Sequence, residues 1–141
     1  ADRDVAVCFG HATKAEIYQL AEQVSKLGIT RGFIDHPFSP FVDLEIEQMR
    51  ELAGIGITLN FTFDELSPLL GVDPDRMYAA IRAVGPEHCT LSSDAGEPLF
   101  PNSVECMRLI RGYMEAFGLN AEELRTVSVD NPAHIVGLDR Q

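Results

Sequence analysis

Two histidines and an aspartate carry most of the chemistry this sequence offers. His11 follows the apolar run Asp4 to Gly10 (DVAVCFG), His36 ends the run Arg31 to His36 (RGFIDH), and Asp94 follows Cys89 to Ser93 (CTLSS). A further run, Gly56 to Phe61 (GITLNF), holds Asn60 near its end, with Asp64 soon after. Imidazole nitrogen and carboxylate oxygen are the donors that hold zinc or a similar divalent ion. A carboxylate beside such an ion can take the proton of an activated water, so the set suits metal-assisted hydrolysis. Either histidine alone reads more simply as a hydrogen-bonded structural residue, and it is their shared position at strand ends that favours ligation. The other two histidines do not share it. His88 precedes the fourth apolar run, at the opposite end, and His134 falls in Asn131-Pro132-Ala133-His134 as a surface or packing residue.

The elements that must position these residues alternate along the chain. Short, nearly continuous apolar runs read as strands buried on both faces. Between them, Ile17, Leu20, Ala21, Val24 and Leu27 recur at helical spacing before Gly28, and Val42, Ile46, Met49 and Ala53 before Gly54. A loop or short helical turn is expected over residues 64–70. Asp73-Pro74 opens another helix, with the aspartate as cap and the proline in the first turn. Asn102 caps a long helix whose expected inner stripe is Val104, Met107, Ile110, Met114 and Phe117, and two short helices start near Asn120 and Asn131. The order β-α-β-α-β-α-β-α predicts an α/β fold of four consecutive βα units with a parallel sheet, since parallel neighbours need a crossover. A small doubly wound sheet and half of a (β/α)₈ barrel both satisfy that order. In either, the carboxyl ends of the strands form the site.

Composition narrows the function classes. The 141 residues hold 22 acidic and 11 basic side chains, a net charge of −11, which argues against nucleic acid or an anionic membrane as partner. No apolar run approaches the roughly 20 residues of a membrane span, and the charged start (Ala-Asp-Arg-Asp) is not a signal peptide. Cys8, Cys89 and Cys106 are too few and too scattered for a disulfide framework or zinc knuckle, so buried free thiols in a reducing cytoplasm are expected. Neither a phosphate-binding glycine loop nor a Gly-x-Ser-x-Gly elbow occurs.

Gly10-His11, Asp35-His36-Pro37, Ser93-Asp94-Ala95-Gly96 and Asn131-Pro132-Ala133, in that order, resemble the second half of the amidohydrolase superfamily, and within it a group of short metal-dependent hydrolases. The resemblance implies a (β/α)₈ barrel whose strands five to eight are the four strands here. It carries the strand-five and strand-six histidine ligands onto His11 and His36, and the strand-eight aspartate onto Asp94. No His-x-His pair of the kind that superfamily carries on its first strand occurs in the chain, nor does a counterpart of its strand-four ligand. A full barrel takes typically about 250 residues. The 25- and 24-residue intervals from His11 to His36 to Asn60, with Asp94 34 later, follow the rhythm of its repeating unit. The expectation is therefore a half barrel, one unit spanning residues 1–141, the C-terminal part of a larger domain or a chain that pairs as a homodimer or with a complementary N-terminal half. Such a half is expected to leave two open strand edges and an inner face rich in Val, Ile, Leu and Phe.

The function expected is a metal-dependent hydrolase acting on a small-molecule amide, ester or phosphoester. His11, His36 and Asp94 would be metal ligands, zinc first among candidates, Asp94 the general base, and Asn60 a weaker substrate-binding candidate. The loops Pro37 to Phe41 and Ala95 to Pro101 would flank the pocket. The alternative is a non-catalytic α/β assembly or small-ligand module without metal.

Overall fold

Most helices begin at a side chain able to accept the unpaired N–H groups of the first turn. In the computed structural model, which describes residues 5–138, Thr13 caps α1 (Lys14–Lys26) in a reciprocal box with Glu16. Glu45 with Gln48 opens α2 (Ile46–Gly54), and Thr62 with Glu65 opens α3 (Phe63–Leu66). Asp73 caps α4 (Pro74–Val84), Asn102 caps α5 (Ser103–Phe117), and Asn120 caps α6 (Ala121–Arg125). A five-residue π turn, Thr126–Asp130, runs on into α7 (Asn131–Val136).

Between the helices lie β1 (Val7–Cys8), β2 (Gly32–Asp35), β3 (Ile57–Thr62) and β4 (Cys89–Ser92). They pair in parallel in the order β1-β2-β3-β4. A doubly wound sheet reverses its strand order at a switch point, and this sheet does not. One apolar cluster joins Phe9, Ile34, Leu59, Phe61 and Leu91 of the strand segments to Ile17 and Val24 of α1, Met49 and Leu52 of α2, Met77 and Ile81 of α4, and Ile110 and Met114 of α5. The result is a half-barrel-like α/β fold. Gly32 permits close approach of α1: a Cβ there would stand 3.1 Å from both Val24 Cγ1 and Ile57 Cδ1.

The opposite face of the sheet corrects an expectation. Side chains alternate along a strand, so the residues facing away from the core are Cys8, Phe33, Asp35, Thr58, Asn60, Thr62, Thr90 and Ser92, of which only Phe33 is a large hydrophobe. That face is polar and cross-linked. Cys8 Sγ donates to Asp35 Oδ2 (2.9 Å), Asn60 Nδ2 donates to Asp35 Oδ1 (2.6 Å) and Ser92 Oγ (2.9 Å), and Thr90 Oγ1 donates to Asn60 Oδ1 (2.8 Å). The apolar residues of the strands went to the helices.

Other differences are local. β1 pairs over two residues only, and Asp4 of its expected run lies outside the described residues. Cys8 is exposed, not buried, because it stands on the edge strand's polar face. On α1 the buried stripe is Ile17, Ala21 and Val24, with Leu20 and Leu27 exposed. Val42 is buried, but in the loop before α2. On α5, Val104 is 81% exposed and Phe117 is exposed too, so the inward stripe is Cys106, Ile110 and Met114, offset from the one expected. The helix α7 lies against the amino ends of the strands. Asn131 Nδ2 donates to the carbonyls of Pro86 (2.9 Å) and Cys89 (2.7 Å), placing the start of α7 beside β4. Arg31 Nη1 reaches Ile135 O (3.1 Å), tying the end of α7 to the residue before β2. Among the described residues no strand pairs with the outer edge of β1. No helix among them is long and apolar enough to cross a membrane.

Candidate functional site

Each of the three leading residues stands just past the carboxyl end of its strand, in the left-handed backbone region. His11 has φ 65°, His36 φ 37° and Asp94 φ 44°. Among the described residues only one other non-glycine, Asp43, has a positive φ. Asp and His tolerate this region better than most residues, yet it is uncommon and costs energy even for them. Such strain gathers at sites where geometry is held for a purpose. Here it occurs at the ends of β1, β2 and β4.

Parallel strands bring those ends together. The rings of His11 and His36 meet edge to face, centroids 4.8 Å apart and planes at 80°. Phe41 packs on the other side of His11, its centroid 5.6 Å away. His36 is 6% exposed, and its Nδ1 shares a 3.0 Å hydrogen bond with Ser39 Oγ, leaving Nε2 as the nitrogen free for a ligand. His11 and Asp94 are exposed. A cleft of about 180 Å³ is bounded by all three with Asp35, Thr62 and Ser92. A wider cavity of about 340 Å³ opens above it, adding Ser39, Phe41, Asp64, Leu69 and Glu97 to the same three. Both loops expected to flank the pocket contribute, through Ser39 to Phe41 and through Gly96 and Glu97.

The loop after β2 is pinned by a carboxyl group that sequence reasoning passed over. Glu65, fully buried, accepts the N–H of Phe38 (2.8 Å) and of Thr62 (2.8 Å). Desolvation pushes its pKa up to about 8 in spite of those bonds. Its second role, beyond the capping box of α3, is legible only once the chain is folded, because Phe38 is 27 residues away. Asp64 next to it is raised by burial first and then by the charge of Asp94, with His36 opposing. Asn60 is not at a strand end. It sits two residues inside β3, 8% exposed, with its side chain committed to Asp35, Ser92 and Thr90. His88 lies in the short 3₁₀ turn Pro86–His88 at the amino end of β4, and His134 is on the exposed side of α7.

Two imidazoles and a carboxylate around one cleft match a divalent ion in donor chemistry. The set is not closed: among the described residues no three or more His, Cys, Asp or Glu side chains form a group that could hold a metal ion. The arrangement defines an α/β domain with a polar site at the carboxyl ends of a parallel sheet. In the comparison with known families, one described only as a family of unknown function (DUF6282) matches residues 1–60, a stretch that contains His11 and His36 but not Asp94. No curated protein matches the chain.

Proposed function

We propose that this chain forms the metal-binding side of a hydrolase of the amidohydrolase type. The observation that supports it most is the coincidence of His11, His36 and Asp94 in left-handed conformations at three strand ends around one cleft. His11 and His36 would hold the ion, zinc first among candidates, with Asp94 as a third donor or as the proton-handling group. A divalent ion, when bound, supplies Lewis-acid activation of water and of the scissile bond. The chain's own groups do the rest. His36 Nδ1 and Ser39 Oγ share a hydrogen bond; with the ring in the tautomer that ligates through Nε2, Nδ1–H would donate to Ser39, the usual means by which a neighbour orients a ligating ring. Asp94, exposed at the cleft, takes a proton from the attacking water and returns it to the leaving group. The loops carrying Phe41 and Glu97 frame a small-molecule substrate.

The ligands lacking here come, in this reading, from a complementary half or a second copy of the chain. Free thiols at all three cysteines suit a reducing, cytoplasmic setting. The non-catalytic reading, an assembly or small-ligand module, draws on the unclosed ligand set.

Equilibrium dialysis against micromolar zinc separates the two. The hydrolase reading expects one zinc per chain, lost in His11→Ala and Asp94→Ala. A chain that takes up none, or variants that bind as well as the parent, would leave the module reading standing.

A further inference from the structure

The walls of the cavity say something about what enters it. Asp64, Asp94 and Glu97 line it, and among the described residues no lysine or arginine does. Two basic side chains have partners outside that lining: Lys14 pairs with Asp43 (3.7 Å), and Arg76 lies over the ring of Phe38 and 3.9 Å from Glu45. Asp64 feels the charges of both Asp94 and Glu97, so the three carboxylates share one field. Between them stand apolar surfaces, Phe41 at 65% exposure and Leu69 at 57%, both exposed large side chains on the cavity wall. His36, more than nine-tenths buried, also lines the cavity, with Nδ1 engaged by Ser39.

Resting on the site proposed above, we infer that its substrate is a small molecule with a cationic group, an amine or amidinium, attached to an apolar portion, and that phosphoesters are rejected. The acidic mouth attracts the cation, Phe41 and Leu69 take the apolar portion, and the reacting bond lies toward His36. In the metal-free cavity a phosphoester would bring at least one negative charge among three carboxylates with no lysine or arginine among the described lining residues, an arrangement that selects by repulsion. A bound divalent ion would offset part of it, so the discrimination is read in the zinc-free chain.

Imidazole resonances of His11 and His36, followed by NMR in the full chain with and without zinc, read the binding of two probes of similar size, benzylammonium and phenyl phosphate. Benzylammonium is expected to shift both rings and to bind about three- to tenfold more weakly to Glu97→Gln, the effect of one nearby charge. Phenyl phosphate is expected to leave the zinc-free chain unchanged. Phosphate binding to the zinc-free chain as well as the amine, no amine binding, or amine binding indifferent to both Glu97→Gln and Asp64→Asn overturns the inference. Zinc uptake in the same samples keeps the two proposals apart. Amine binding without zinc uptake ends the hydrolase reading and leaves the cation-selective cavity; zinc uptake with phosphate preferred does the reverse.

Discussion

His11 and His36, 25 residues apart in sequence, face each other edge to face at 4.8 Å because neighbouring parallel strands end side by side. β1 and β2 pair in register Val7 to Gly32, which sets the turn after one strand beside the turn after the other. The same contact places Phe41, from the loop after β2, on the far side of His11. Two imidazoles held at this distance are either partners for one ion or a packed aromatic pair with one exposed member.

Ser39 decides which nitrogen His36 presents. Ser39→Ala removes the partner of Nδ1 and leaves the packing of the loop nearly unchanged, since the side chain is small. Zinc affinity is expected to fall about tenfold, the low end for loss of an orienting partner. Calorimetric titration with zinc checks it, and thermal unfolding of the zinc-free variant should show a loss of about 1–3 kcal/mol, the cost of a buried Nδ1 without its partner.

Strain at the site should be separable from stability. Glycine adopts positive φ freely, so His11→Gly and Asp94→Gly, both at exposed positions, remove backbone strain while deleting a ligand. Denaturant unfolding is expected to show stability unchanged or raised by up to about 1 kcal/mol, with zinc uptake lost. If the residues served structure alone, both variants would unfold more easily.

Asn60 is the hub of the polar face. Asn60→Ala strands Thr90 Oγ1 and one oxygen of Asp35, both of which it now satisfies. Unfolding by urea should show a loss of about 2–3 kcal/mol, the cost of unpaired polar groups at a largely buried position. A substrate-binding role alone would predict no such loss.

Glu65 makes stability depend on pH in a defined direction. Its folded pKa, about 8, lies above the ordinary 4.5, so the folded chain retains a proton that the unfolded chain has released. Stability from this group is therefore full below about pH 4.5, falls as pH rises toward 8, and levels beyond it, with a total on the order of 5 kcal/mol. Chemical denaturation across that range should show the decline in the parent and a flatter profile in Glu65→Gln.

Much of the fold could be read from the sequence because caps and strand runs are local signals. Thr13, Asp73, Asn102 and Asn120 mark helix starts by chemistry that needs no tertiary context. Which face of the sheet the helices would cover was not readable in the same way. Runs such as GITLNF look apolar throughout, yet Thr58 and Asn60 alternate with Ile57, Leu59 and Phe61 and turn to the other side. On α5 the middle of the expected stripe is inward, with Ile110 and Met114 buried and Met107 partly so, while its ends Val104 and Phe117 are exposed. Both ends fit a helical period, and only the docking of α5 decides that Cys106 points inward. At the site, His11, His36 and Asp94 were visible as punctuation after strands. Asp64 and the loops that hold Ser39 and Glu97 were placed near the pocket as well, but the bond of Ser39 to His36 and the grip of Glu65 on Phe38 were not readable, since each is a contact that exists only after folding.

If His11 and His36 share one ion, X-ray absorption at the zinc edge of the zinc-loaded chain will show it. The expected first shell is nitrogen and oxygen with the outer-shell scattering of two imidazoles, reduced to one in His36→Ala. A shell containing sulfur, or imidazole scattering unchanged in His36→Ala and His11→Ala, would contradict it.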